Sequence, residues 1–402
     1  MNKRLYTLLL CLFAIVSISC SSGDDNQPQL PENPETPVNP GDGDIDYSKV
    51  GIEYDDGKNI IFHVKIAIDK EGFEMRDMEF FKSRLKTQWE KINERFNGLD
   101  KKGALKRNYI FVPDLEDIIL YSHDDNKEDP SSSHWEVPKH HNAKIDRKKF
   151  QCLVAYDFAV QDGEGGGGFG DDDGLGNILV INPGKDNIGK FYDHFAEKAN
   201  TVAAITHEMG HFRGVVDTYL CRINASNNPV SGQGFEPETG NMNNPYPTLD
   251  KCAWSDYEMR VINLNGAEKE YWLIYKCMRD YFPDFIEFTV TEEGKSVEDC
   301  TLNFYKAEDY KIIKNPIKSF EFEGGLLRKN GHELFWQNDW DKYPWTYYNL
   351  LLVEAVNNET GKKGYGFLPA YEAHNQGLKD KYEDKISGKS VFKKVIEIKS
   401  SK

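Results

Sequence analysis

Across residues 60–68 the apolar side chains Phe62, Val64, Ile66 and Ile68 fall at a two-residue period, which predicts a strand. After a short break Met78, Phe81, Leu85, Trp89, Ile92 and Phe96 recur at helical spacing with Lys, Arg and Glu between them. That pattern predicts an amphipathic helix packed on a sheet. Residues 109–112, 118–121 and 152–158 read as further strands, Asn177–Asn182 as a short strand between turn signals, and 197–213 as a helix. Ser255-Asp256-Tyr257-Glu258 fits a capping box opening a helix to about Asn263, and a second helical stretch runs from about Ala267 to Asp280. From Phe285 onward short alternating or aromatic runs (285–291, 300–305, 319–322, 347–355 and 391–398) are separated by Gly, Asn and Lys-rich turns. They predict a small β-sandwich of about seven strands.

The N-terminus follows a different logic. Lys3 and Arg4 precede an apolar run over residues 5–18 that is too short to span a bilayer comfortably and ends at Ser19-Cys20. Residues 1–20 therefore read as an export signal. Its end resembles a bacterial lipobox, with Ser17 where that pattern usually carries an aliphatic residue. The resemblance implies that Cys20 is acylated and anchors the chain to a membrane. Residues 21–46, rich in Pro, Asp, Asn and Gly, have almost nothing to bury and read as a disordered acidic tether. Ser21-Ser22-Gly23-Asp24-Asp25 resembles the export signal of surface lipoproteins in Bacteroidetes-type bacteria, which implies an outer-membrane, outward-facing location.

With 402 residues the chain is long enough for two folded units after the tether, expected at 47–283 and 284–402. An aromatic content of 13% can furnish their cores. The net charge of −16 argues against nucleic acid, which needs a basic face to displace counterions. No feature indicates an oligomer. Beyond Cys20 stand Cys152, Cys221, Cys252, Cys277 and Cys300, an odd number, so at least one is unpaired. Cys221 and Cys252 bracket a loop and are the expected disulfide, since an exported protein can keep one.

The chemistry lies in Thr206-His207-Glu208-Met209-Gly210-His211-Phe212-Arg213-Gly214-Val215-Val216-Asp217. Residues four apart share a helix face, so His207 and His211 can hold one metal between them. Glu208 is one step round from His207 and can reach a water at that metal as general base. Gly214 tolerates the sharp turn that ends the helix, and the turn lets Asp217 approach as a third ligand. Two histidines and one carboxylate leave a fourth position open, as catalytic zinc requires. A bare HExxH arises by chance in such a chain at roughly 10⁻², and the added Gly and Asp lower this to about 10⁻⁴.

This extended motif resembles that of the metzincin peptidases, with the third-ligand Asp of snapalysin-like members. The resemblance implies an α+β zincin catalytic domain, a twisted mixed sheet with an active-site helix, followed here by the all-β sandwich. It also implies zinc-dependent endopeptidase activity on a peptide or protein substrate, with one catalytic Zn2+. Gly240-Asn241-Met242-Asn243-Asn244-Pro245 resembles the family's methionine turn, which makes Met242 a hydrophobic floor under the histidines. Asp in place of a third His adds negative charge and should weaken the metal as a Lewis acid. Tyr246 and Tyr219 stand nearest to the place of the family's tyrosine. Residues 177–182 would lie along the cleft edge beside an extended substrate.

The stretch from Gly163 to Gly176 (Gly-Glu-Gly-Gly-Gly-Gly-Phe-Gly-Asp-Asp-Asp-Gly-Leu-Gly) reads as a flexible loop, with Ca2+ binding as an alternative. His134, His140, His141 and His194 fit no ligand spacing and read as solvated. The aromatic run Trp336, Trp340, Tyr343, Trp345, Tyr347 and Tyr348 reads as sandwich core, with a docking face as its rival. Two alternative functions stay open, a non-catalytic surface-binding lipoprotein on a protease-like fold and a zinc amidase acting on a cell-wall peptide.

Overall fold

The computed structural model describes residues 55–73, 77–122, 136–157, 166–171, 177–182, 200–268, 273–322, 324–339, 341–343 and 346–399. The export signal, Cys20 and the tether lie outside the described residues, as do His134, His194, Trp340 and Trp345. Lys49–Lys402 form one compact unit of mixed α and β structure with several sheets.

The first sheet is built from β1 (Asn59–Asp69), β2 (Asn108–Tyr121), β3 (Cys152–Tyr156), β4 (Gly166–Asp171) and β5 (Asn177–Asn182), in the order β2-β1-β3-β5-β4. All its pairings are parallel except β4 with β5, which is antiparallel. Helices α1 (Lys70–Phe73), α2 (Met78–Gly98), α3 (Glu136–Asn142) and α4 (Asn200–Phe212) accompany it. The alternation along β1 suggested one buried face, yet every residue of the strand is buried. Its even-numbered side chains join Phe81, Leu85, Trp89 and Phe96 of α2 and Met209 and Phe212 of α4 in the main core. Ala67, on the opposite face, packs with Leu153, Ala155 and Ile145 in a second cluster. A parallel sheet covered on both faces needs apolar residues on both.

The two strands expected at 109–112 and 118–121 are a single strand with an irregularity between them. Lys65 pairs with Asp114 but Ala67 already pairs with Ile119, so β2 bulges through the intervening residues. Pro113 has no N–H to give the ladder there. The buried Lys65 ammonium meets the Asp114 and Asp117 carboxylates of this bulge at 2.8 and 2.7 Å.

Helices α5 (Asp256–Asn265) and α6 (Leu273–Asp280) follow. The capping box at Ser255 is present as expected, with the Glu258 side chain accepting from the Ser255 backbone. Beyond them come β6 (Phe285–Glu292), β7 (Lys295–Ser296), β8 (Cys300–Glu308), β9 (Lys311–Ile312), β10 (Lys318–Phe322), β11 (Leu327–Asn330), α7 (Gly331–Phe335), β12 (Leu350–Asn357), β13 (Lys363–Pro369), α8 (Ala370–Leu378) and β14 (Val391–Ile398). They form two sheets, β10-β8-β12-β13 with β9 on β8, and β11-β6-β14 with β7 on β6. Phe288 and Phe304 join them edge to face, with ring centres 5.3 Å apart. Strands β13 and β14 pass so close that a Cβ at Gly364 would sit 2.5 Å from the Glu397 carbonyl oxygen.

The region is not purely β. Helix α8 buries Ala370, Tyr371, Ala373, His374, Gly377 and Leu378 and was not anticipated. Trp336 is buried between Phe282 and Tyr347, in keeping with a core role, whereas Tyr343 is exposed. Among the described residues no helix is long and apolar enough to cross a membrane.

Candidate metal centre

Helix α4 brings the first three motif residues together. Its Ala203, Ile205, Met209 and Phe212 are buried, and the Phe212 ring meets Phe62 of β1 edge to face at 5.2 Å. That packing fixes the helix against the sheet and turns His207 and His211 toward a common point, ring centres 4.9 Å apart. Gly214 then takes φ +88°, a conformation that L side chains rarely adopt, and the amide of Asn265 occupies the space a Cβ would need. The chain reverses and delivers Asp217 between the two imidazoles. Its Oδ1 lies 3.0 Å from His207 Nε2 and 3.2 Å from His211 Nε2. One ligand atom from each of His207, His211 and Asp217 lies within 4.8 Å of the others, the sole such group among the described residues.

The outer nitrogens of both rings are engaged. His207 Nδ1 is 3.2 Å from the Asn241 carbonyl oxygen, and His211 Nδ1 is 2.7 Å from that of Val215. A carbonyl can only accept, so each Nδ1 carries a proton and donates it. When neutral, each ring then has its lone pair on Nε2, facing the shared point, which is the tautomer a metal needs. Without a metal, Asp217 favours a proton at that place. Burial disfavours charge at all three groups, but each is overruled by its partners. The histidines hold the Asp217 carboxyl far below the usual range. Asp217 in turn raises His207, and lifts His211 to about 9. A pocket that stabilises protons between these atoms offers the same field to a metal cation, and the donor set fits zinc.

Glu208 sits beside this group, its Oε2 4.0 Å from His211 Nε2. Met242 is fully buried beneath α4, where a Cβ at Gly210 would lie 2.9 Å from its sulfur and 3.3 Å from the Trp254 ring. The glycine is what lets helix and turn approach this closely. Tyr246 is 44% exposed, and the carbonyls of Pro245 and Pro247 on either side both accept from Arg95 Nη2, at 2.6 and 2.9 Å. Burial and the nearby Glu208 raise its phenol, so it stays protonated at neutral pH. The Tyr219 ring lies 6.1 Å from that of His207.

Three expectations are corrected. Cys221 and Cys252 form no disulfide; both are buried free thiols, as are Cys152, Cys277 and Cys300. The two side chains face different walls. Cys221 Sγ lies 3.3 Å from the Asn349 carbonyl oxygen, whereas Cys252 Sγ lies 3.7 Å from that of Asn244 in the Met242 turn. Strand β5 is not the sheet edge, because β4 pairs along its whole length. That outer strand comes from the glycine-rich stretch expected to be a loop. The remainder of that stretch, with Asp172 and Asp173 of the Ca2+ alternative, lies outside the described residues. His140 is exposed, 2.6 Å from Lys144 Nζ, and takes part in no ligand group among the described residues.

Sequence reasoning missed the residues that hold the centre from behind. Glu258 was read as a capping residue, yet its carboxylate also accepts from the backbone N–H groups of Met242 (2.7 Å) and Asn241 (3.2 Å). Asn265 Nδ2 donates to the Arg213 carbonyl at 2.8 Å. The capping box was a visible signal for the first; nothing local marked the second.

No family model matches the chain, and no curated protein matches it. A solved structure described as "Structure of a chaperone-substrate complex" is similar at 14% identity over 52% of this chain and 35% of that one, with a TM-score of 0.29. The chain thus spans about a third of that protein's length, and a likeness of this size supports no conclusion about fold or function.

Proposed function

We propose that the chain is a zinc-dependent endopeptidase of the metzincin type, exported and tethered through a lipid at Cys20. The observation that carries this reading is the convergence of His207 Nε2, His211 Nε2 and an Asp217 oxygen within 4.8 Å, with both Nδ1 atoms committed to carbonyls. These three residues would hold the zinc. When bound, the ion would supply Lewis acidity for a carbonyl and lower the pKa of a water. Glu208, on the same helix with its Oε2 4.0 Å from His211 Nε2, would take the proton of an attacking water and pass it to the leaving amine. Met242, buried against Gly210 of α4, would close the floor with an apolar surface. The edge strand β4 offers its backbone to an extended substrate, so peptide chains are the favoured class. The membrane anchor and surface location rest on the N-terminal sequence.

Elemental analysis of the purified chain with Asp217→Ala and Glu208→Ala variants tests the proposal. About one zinc per chain is expected in the wild type, strong loss in Asp217→Ala, and retention without peptidase activity in Glu208→Ala. A wild-type chain that holds no zinc after equilibration with it would end the peptidase reading and leave a surface-binding protein. A zinc-loaded chain that cleaves cell-wall peptides but not unfolded protein would move the assignment to an amidase.

A further inference from the structure

Both histidines depend on backbone carbonyls that belong to irregular segments. Asn241 is in the Met242 turn, and Val215 is in the turn after α4. Each turn has local backbone hydrogen bonds, Val215 N–H to the Gly210 carbonyl at 3.1 Å and Asn244 N–H to the Gly240 carbonyl at 3.1 Å, but neither belongs to a sheet ladder. Both turns are tied to the same helix, α5.

At the start of α5, Glu258 Oε1 accepts from the Met242 N–H at 2.7 Å, and Oε2 accepts from Asn241 at 3.2 Å and Ser255 at 2.7 Å. The Met242 N–H and the Asn241 carbonyl are the two ends of one peptide plane. A carboxylate therefore grips one side of that plane while His207 donates to the other. At the end of α5, Asn265 Nδ2 donates to the Arg213 carbonyl at 2.8 Å, one peptide before the turn residue Gly214. Arg213 reciprocates, its Nη1 reaching the Gly266 and Glu268 carbonyls at 2.9 and 3.2 Å. Glu258 and Asn265 are seven residues apart on α5, two turns along one face, and both are buried.

We propose that α5 is a strut for the metal centre, in which Glu258 and Asn265 are positioning residues for His207 and His211. This rests on the zinc reading above. Glu258 acts through the 241–242 peptide: its carboxyl oxygen accepts from the Met242 N–H and polarises it, which makes the carbonyl a stronger acceptor and so His207 Nε2 a better donor to metal. Asn265 acts through the 213–214 peptide, holding the turn that supplies the His211 acceptor and delivers Asp217. Because the helix is rigid, the two turns keep a fixed separation.

The test compares zinc affinity, by chelator competition, and the visible spectrum of the cobalt(II)-substituted chain in Glu258→Gln and Asn265→Asp. Both changes keep side-chain shape and alter only the hydrogen-bonding atoms. Tyr257→Phe is the control: it removes a buried hydrogen bond to His374 on another side of α5 and touches neither turn. The expected result is zinc binding about ten-fold weaker or more, with displaced cobalt bands, in each of the first two variants. Tyr257→Phe should lower the thermal midpoint yet keep wild-type affinity and spectrum. Wild-type affinity and spectrum in folded Glu258→Gln and Asn265→Asp overturn the inference, and so does an equal loss in Tyr257→Phe. If Glu258→Gln fails to fold, Asn265→Asp decides alone. A wild-type chain without zinc sinks the zinc reading itself, a result distinct from these.

Discussion

His374 should make this protein sensitive to acid, and by a calculable amount. The ring is fully buried where α8 meets α5 and α6. Its Nε2 lies 2.9 Å from the Cys277 carbonyl oxygen and therefore carries the proton, while Nδ1 accepts from the Tyr257 hydroxyl at 3.1 Å. A second proton would have to go on Nδ1, against a hydroxyl already pointing at it. The other groups facing the ring are the Cys277 thiol at 3.6 Å and, electrostatically, the Lys381 ammonium, which adds repulsion. Burial, with Lys381 against it, lowers the imidazole to about 3. In the unfolded chain it titrates near 6.5. The folded state thus favours the neutral ring: its stability is complete above about pH 6.5 and is lost as pH falls toward 3. The loss is about 1.4 kcal/mol per pH unit, so about 2 kcal/mol between pH 6.5 and 5. His374→Phe removes the titration and two buried hydrogen bonds, while the Cys277 carbonyl keeps the Tyr281 N–H at 3.1 Å and the Tyr257 hydroxyl keeps the Met278 sulfur at 3.9 Å, for a cost of about 1–3 kcal/mol at pH 7.5. Urea unfolding of both proteins at half-unit steps from pH 7.5 to 4.5 gives the difference in stability, in which other titrating groups cancel. That difference should be flat above pH 7 and shrink by about 1.4 kcal/mol per unit below pH 6. A difference independent of pH would refute the reasoning.

Further outcomes follow from the centre's surroundings. Gly214→Ala forces a side chain into a positive-φ turn and against Asn265, and should cost about 2–4 kcal/mol in denaturant unfolding; an unchanged midpoint would contradict the described turn. Gly210→Ala sets a methyl group against the Met242 sulfur. Overpacking of about 1–3 kcal/mol should outweigh the roughly 1 kcal/mol gain in helix propensity, and chelator competition should show weaker zinc binding. Because Cys221 and Cys252 are free, a reductant should leave the thermal midpoint unmoved, whereas losing a native disulfide would remove about 2–5 kcal/mol and lower it by several degrees.

The elements legible in the sequence were those whose signal is local and periodic. Helix α2 was expected from Met78 onward because its apolar stripe is unbroken, and the Ser255 capping box announced α5. That His207, His211 and Asp217 come together was legible because helix spacing and one glycine turn bring the three to one point. What escaped depends on partners far along the chain. Glycine-rich β4 has almost no side-chain pattern, and its strand conformation comes from pairing with β5. In α8 the buried positions 370, 373, 374, 377 and 378 do follow helical spacing, but three of them, Ala370, Ala373 and Gly377, are small and weaken the apolar contrast. The Cys221–Cys252 expectation failed because bracketing a loop says nothing about which wall each thiol faces.

The C-terminal sheets are better described as a wall of the candidate metal centre than as an attachment to it. The loop that leads from Asp217 to Trp254 carries Met242 and the acceptor for His207, and much of its outer side rests on residues beyond 284. Tyr371 Oη accepts from the Glu238 N–H at 3.1 Å, and the Phe235 ring lies 5.1 Å from Phe367. The Asn349 carbonyl receives the Cys221 thiol four residues after Asp217. Helix α8 comes so close that a Cβ at Gly377 would overlap the Tyr281 carbonyl, and its His374 joins α5 to α6. Loss of the Tyr257 hydrogen bond alone leaves α5 in place, but a protonated His374 would set an unsolvated charge against α5, which grips both turns of the candidate centre, and should loosen that helix before the sheets. Zinc release on acidification should therefore begin at a higher pH in the wild type than in a His374→Phe chain that is folded and zinc-loaded at pH 7.5. Identical release profiles would separate the C-terminal wall from the centre energetically, however closely they pack.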